Sequence, residues 1–112
     1  MTLEGLVNII KPVLPNKVFY GSNIYDNLDN AKMPYIVYQE ISKRPIGYRD
    51  NIPLPYSSRI QITLVTKKKT LSLERELEKT LLENNISFEL SSEFFNSDRS
   101  VNRVYQVTME EI

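Results

Sequence analysis

The stretch Pro34–Ser42, Pro-Tyr-Ile-Val-Tyr-Gln-Glu-Ile-Ser, constrains the fold more than any other part of the chain. It is dense in β-branched and aromatic residues, and it opens on a proline, which suits the first residue of a strand. With a period of two, Tyr35, Val37 and Ile41 fall on one face, while Ile36 and Tyr38 fall on the other. Polarity enters only with Gln39 and Glu40. The pattern predicts a central strand covered on both sides at its start, then running out towards solvent with a long loop at its far end. A short buried helix is the alternative reading, and the β-branched content and the leading proline argue against it.

The rest of the chain places partners around that strand. Thr2 can cap a helix that carries Glu4 in its first turn and an apolar stripe of Leu3, Leu6, Val7 and Ile10, ended by Pro12 and Pro15. Lys17–Tyr20 reads as a short strand stopped at Gly21, and residues 21–33 as an Asn- and Asp-rich loop. Residues 43–57 read as a second long loop, because Pro45, Pro53 and Pro55 disfavour regular pairing along its whole length. Ser58–Thr66 alternates Ile60, Ile62 and Leu64 with Arg59, Gln61 and Thr63, a strand of period two. After a basic turn, Lys67–Lys69, Thr70 or Ser72 caps a second helix to about Glu83, with Leu73, Leu77 and Leu81 on the buried face. Glu74, Arg75, Glu76, Glu78 and Lys79 are expected on its outer face, and Asn84-Asn85 as its C-cap.

Two strands close the chain. Ile86–Leu90 turns Ile86, Phe88 and Leu90 inward, and Arg103–Met109 turns Tyr105, Val107 and Met109 one way and Val104 the other. Residues 91–102 look polar and turn-like apart from Phe94-Phe95. The expectation is one α+β domain over residues 1–112, with element order α-β-β-β-α-β-β. It comprises a four- to five-stranded mixed sheet, two helices packed on it, and a long loop between the second and third strands. A crossover through the second helix is long enough to join parallel strands.

Composition then limits the chemistry. At 112 residues the chain has room for one core. Fourteen basic residues balance fourteen acidic ones, which argues against a protein built mainly to grip phosphates. There is no cysteine and no histidine, so the usual nucleophile–base pairs and the commonest transition-metal ligand are missing. The three glycines are isolated, so no phosphate loop is present. No enzyme activity, cofactor or metal is expected. No apolar run reaches the length of a membrane span, and the N-terminus lacks a basic start, so a protein made and used inside a cell is expected.

Three features remain. Glu74 and Glu78 lie one helical turn apart and could hold Mg²⁺, but a solvated helix face is the simpler reading. Lys67–Lys69 could touch phosphates or could be a solvated turn. The loop 43–57 is unusual: it carries Ile46, Tyr48, Ile52, Leu54 and Tyr56 together with Lys43, Arg44 and Arg49. Tyrosine and arginine in an extended apolar loop have the composition of an interface anchor, unless the loop folds back on its own domain. Glu74, Glu76 and Glu78 on the second helix are then candidate acceptors for a neighbour's Arg44 and Arg49.

Several features together carry a family resemblance: the amphipathic first helix, the Val18-Phe19-Tyr20 strand, Pro34-Tyr35-Ile36-Val37-Tyr38-Gln39, the long loop, Arg59-Ile60-Gln61-Ile62, the helix in 71–83 and two closing strands. In this order the chain resembles the tail completion, or tail terminator, proteins of long-tailed bacteriophages and prophages. Thr63 and Leu64 follow the Arg-Ile-Gln-Ile strand where the family often carries Asp or an aromatic. The resemblance implies a virion structural protein, present in the host cytoplasm during assembly. It would form a hexameric ring on the head-proximal end of the tail tube, end tube polymerisation and offer a surface for head joining. Its implied partners are copies of itself, the major tail tube protein and the head-tail connector protein, with DNA passing through the ring rather than being bound specifically. A head-completion or connector protein of the neck, and a small nucleic-acid-binding regulatory domain, are the alternatives.

Overall fold

The computed structural model describes residues 2–21, 32–45, 48–49, 52–53 and 56–111, with 48–49, 52–53 and 110–111 described through their backbone pairing. The predicted loop over 21–33 and the site residues Ile46 and Leu54 fall largely or wholly outside the described residues.

The first helix, α1 (Leu3–Ile10), forms as its cap and stripe dictate. The Thr2 hydroxyl accepts a hydrogen bond from the Gly5 amide at 3.0 Å, and Leu6, Val7 and Ile10 are buried. A 3₁₀ turn, Lys11–Val13, follows with Pro12 near its start, where a missing N–H costs little. The second helix, α2 (Leu71–Glu83), buries Leu77 and Leu81. Thr70 stands at its N-cap, but the Thr70 hydroxyl donates to the Lys68 carbonyl at 2.9 Å and caps nothing. The helix ends in a Schellman motif. Asn85 adopts φ 59°, the Ile86 amide donates to the Leu81 carbonyl and the Asn85 amide to the Leu82 carbonyl. Leu81 and Ile86 both join the core.

The strands are β1 (Val18–Tyr20), β2 (Tyr35–Pro45), β3 (Tyr48–Arg49), β4 (Ile52–Pro53), β5 (Tyr56–Thr66), β6 (Phe88–Phe95) and β7 (Val101–Glu111). Five make one mixed sheet in the order β1-β2-β5-β7-β6, with only β1 and β2 adjacent and parallel. β3 and β4 form a separate miniature hairpin. The chain is therefore α+β, with two helices on a five-stranded mixed sheet, as the order of elements predicts. β5 and β6 both run antiparallel to β7, so the α2 crossover does join parallel strands, which β7 separates.

Of the strand boundaries that differ from the sequence reading, three shape the surface. β2 does not stop at Ser42, and β5 begins at Tyr56, so Lys43, Arg44 and Pro45 pair with Ser58, Ser57 and Tyr56. The predicted loop is in large part a continued ribbon closed by β3–β4. Pro45 is tolerated as the last residue of its strand, and Pro53 within a two-residue strand at a ribbon tip. β6 reaches Phe95 because a bulge between Leu90 and Ser92 absorbs the break in alternation that made 91–102 look turn-like. The turn itself is confined to residues 96–100, where the Asp98 carboxylate accepts from the Ser100 amide and hydroxyl.

Both helices cover one face of the sheet. Leu6, Ile10, Leu77 and Leu81 meet Ile36, Ile60, Ile62, Leu64, Tyr105 and Val107 in a single core. Double coverage of β2 was expected, but no described helix lies on the other face. There Phe19, Val65 and Val104 are buried, and Val37 is half-buried.

Candidate interaction surface

The sheet is longer than the helices that cover it, in a molecule of 54 × 29 × 25 Å. Its base rows pair Ile36 with Leu64, Tyr38 with Ile62, and Tyr105 with Ile62, all under the helices. Its outer rows pair Ser42 with Arg59 and Thr108, Arg44 with Ser57, and Pro45 with Tyr56. The residues of β2 from Ile41 to Arg44 are all exposed, as are Tyr56, Arg59 and Thr108. β2, β5 and β7 together make a three-stranded arm that projects past the helical layer.

The helix-free face of this arm is polar. Gln39, Gln61 and Gln106 stand side by side across three strands, with the row Ser42, Arg59 and Thr108 next to them. Arg59 donates to the Gln106 carbonyl oxygen at 2.6 Å. Ser42, Arg44, Ser57, Arg59 and Thr108 line an open depression of about 490 Å³. On the opposite face of the arm the Lys43 ammonium lies 4.9 Å from the centre of the Tyr56 ring, a cation–π contact.

Of the sequence-predicted surface, Arg44 and Tyr56 are exposed on the arm; Tyr48, Arg49 and Ile52 belong to its terminal hairpin by backbone pairing. Glu74 and Glu78 require a correction. Glu74 is only 3% exposed, so it is not part of a solvated outer face. The Lys69 ammonium lies 2.8 Å from the Glu74 carboxylate and 2.5 Å from Glu93, and the Arg103 guanidinium lies 3.3–3.5 Å from Glu74, Glu78 and Glu93. The Tyr105 hydroxyl donates to Glu78 at 2.9 Å and accepts from Arg103 at 2.6 Å. This cluster bolts α2 to β6 and β7. Glu74 is thereby engaged within its own chain, and Lys69 is not simply part of a solvated turn.

The cluster sets its own electrostatics. The hydrogen bond from Lys69, followed by the approach of Arg103, holds the Glu93 carboxyl below the usual carboxylate range. Hydrogen bonds to Glu74 and Glu93 raise the Lys69 ammonium. Burial pushes the Tyr105 hydroxyl well above an ordinary phenol. The sequence carried a signal for the cluster: Arg103 shares the period-two face of Tyr105 and Val107, so a charge there had to find partners in a core layer.

The sheet also leaves two edges open among the described residues. β6 is the outermost strand on one side, and its Leu90, Phe94 and Phe95 are 42%, 46% and 66% exposed. On the other side β1 pairs with β2 at residues 36–38 among the described residues. Long exposed edges of this kind are ready to pair with another chain. The sequence reading assigned neither edge, since it cannot order the strands.

Compared with known families and curated proteins, the sequence matches no family model and no curated protein.

Proposed function

We propose that this chain is a non-enzymatic structural subunit of a long-tailed phage particle that caps the head-proximal end of the tail tube as a ring. The arm carries the reading. Three strands continue beyond the helical layer and present Ile41, Arg44, Tyr56 and Arg59 to solvent, with a Tyr48- and Arg49-bearing hairpin at the tip. Exposed apolar and Tyr/Arg surface on a projecting part of the sheet suits association rather than catalysis. The order of segments from Leu3 to Glu111, similar to that of tail terminators, selects the kind of assembly. In this reading the partners are copies of the chain, the tail tube protein and the head-tail connector protein, and the protein ends in the virion.

The regulatory nucleic-acid reading has weaker support. Its basic groups lie at opposite ends of β5: Arg44 stands across from Ser57, whereas Lys67–Lys69 follow Thr66. At about 3.3 Å per residue they are roughly 30 Å apart, and Lys69 is paired with two carboxylates.

The test is the double variant Tyr48→Ala/Arg49→Ala. It is expected to keep its circular-dichroism spectrum and melting point while losing ring formation and tail capping, so that particles assembled with it carry tails of uncontrolled length in electron micrographs. Normal capping by the folded variant would remove the arm tip from the interface, and unfolding would show that the tip packs on its own domain.

A further inference from the structure

We infer that the outer edge of β6 pairs antiparallel with the same edge of a second copy, about a two-fold axis passing between Ser91 and Ser92. The contact is distinct from the ring proposed above, and it closes at two copies. β6 lies opposite Val101–Val107 at the base of the sheet, whereas the outer rows of the arm begin at Thr108.

The exposed groups call for a strand as the occupant. β6 ends the sheet, and its outer edge has no neighbouring strand among the described residues. Leu90 and Phe95 stand on the helix side of β6 and Phe94 on the other side, at 42%, 66% and 46% exposure. A helix laid against this edge would cover one side only. A strand covers both and gives the unpaired backbone groups partners.

The bulge selects which strand. Phe88, Leu90, Glu93 and Phe95 pair with Val107, Tyr105, Arg103 and Val101, so they share the helix side. Glu89, Ser92 and Phe94 pair with Gln106, Val104 and Asn102, on the helix-free side. The extra residue, Ser91, is on that side too, because its hydroxyl accepts from the Gln106 side-chain amide at 3.4 Å. The alternation therefore breaks once, at Ser91-Ser92, and the order of faces reads the same in both directions from that point. A regularly alternating strand matches one half of β6 and turns its side chains to the wrong faces along the other half. A second β6 running antiparallel carries the same break at the same place. Phe88 of one copy then stands beside Phe95 of the other, Glu89 beside Phe94, Leu90 beside Glu93, and Ser91 beside Ser92. A shift by one or two residues in either direction sets at least one pair on opposing faces.

Charge permits this pairing. The Glu93 carboxylate is already held by Lys69 and Arg103 of its own chain, so an aliphatic neighbour strands no charge. The two copies of Glu89 stand five residues apart along the strands, roughly 17 Å, where salt screens their repulsion. β6 also contains no lysine and no proline, residues that block an edge.

The chain has no cysteine, so single thiols can locate the axis. In the paired edges the two Cα atoms of Ser92 are about 6 Å apart, as are those of Ser91, whereas those of Glu89 are roughly 17 Å apart. All three side chains are exposed. A bis-maleimide linker of intermediate reach should join Ser92→Cys, and equally Ser91→Cys, into a covalent dimer and leave Glu89→Cys monomeric, each with its circular dichroism unchanged. Failure of both serine variants to crosslink at high protein concentration overturns the inference. So does crosslinking of Glu89→Cys as efficient as theirs, which would mean another register or another contact. Wild-type protein that sediments only as a monomer at high concentration overturns it as well. Tail length in electron micrographs tests the arm alone; the serine crosslinks form or fail whatever that outcome.

Discussion

The base and the outer half of the sheet use the same three strands and the same backbone ladder, yet they have different fates. At the base, Ile36, Ile60, Ile62 and Tyr105 are fully buried under two helices. A few residues further along, Ile41 and Tyr56 are 38% and 41% exposed. Hydrogen bonding does not distinguish the two regions, because the pairing of β5 with β7 is unbroken from Val101 to Glu111. Side-chain burial does. Hydrophobic stabilisation scales with apolar area removed from water, so the free energy of folding concentrates at the base. The outer half is held mainly by its continuity with the base, which leaves its side chains available for contact with another molecule.

The largest break in this comparison should come from Leu77→Ala. Leu77 is fully buried in the middle of α2, in the same core as Ile60, Ile62 and Leu64. Truncation should cost about 2–5 kcal/mol in urea unfolding, a large share of a small domain's stability. The matched change in the outer half, Ile41→Ser, should move stability by no more than about 0.5 kcal/mol. Equal losses from the two would show that the arm carries a core of its own.

The ion-pair cluster gives the next effect. Arg103→Ala leaves Glu74 at 3% exposure with Lys69 alone to compensate it, and should cost about 2–3 kcal/mol. The same cluster predicts an acid dependence. The carboxyl of Glu93 is depressed in the folded state, chiefly by the Lys69 hydrogen bond. Its contribution is therefore complete above the ordinary carboxylate range and is lost as pH falls through the depressed folded value. Glu93→Gln should flatten stability against pH in that acid window and leave the slope near neutrality unchanged. An acid limb identical to that of the wild-type protein would assign the dependence to other carboxylates.

The base was legible in the sequence and the arm was not, for a physical reason. Leu73, Leu77, Leu81 and the alternation Ile60-Ile62-Leu64 declare their faces because burial imposes a period. Lys43, Arg44 and Tyr56 are exposed, so burial imposes no period on them, and three prolines dominated the pattern and hid the ribbon that carries Lys43–Pro45 and Tyr56. Glu74 was misread for the opposite reason. Three residues before Leu77 and seven before Leu81, it lies on the buried stripe of the helix, but its charge and its exposed neighbours Arg75 and Glu76 masked that position, and Lys69, Glu93 and Arg103 are what make a carboxylate tolerable there. The period marks the inward positions of Glu74 and Arg103, but tertiary packing decides which groups 5–29 residues away pair with them.

The smallest prediction lies at the border of the two regions. Ser58 stands in β5 between Lys43 and Met109, where helical cover is running out, and it is nonetheless fully buried. Its hydroxyl has no hydrogen-bond partner among the described residues. A buried hydroxyl without a partner has given up its hydration for nothing, at about 1–3 kcal/mol. Ser58→Ala removes that atom and leaves the β-carbon and backbone pairing in place. It should stabilise the protein by up to about 1 kcal/mol, because the small void left behind takes back part of the gain. Ser57→Ala, one residue nearer the tip and on the helix-free face, should change stability by less than about 0.5 kcal/mol. Urea unfolding of the two variants side by side then locates the boundary. A gain at Ser58 with none at Ser57 puts the edge of the dry core between the faces of these two residues. A loss of about 1 kcal/mol at Ser58 would mean that its hydroxyl is bonded in solution, and that water reaches further into the base than the burial of Met109 implies.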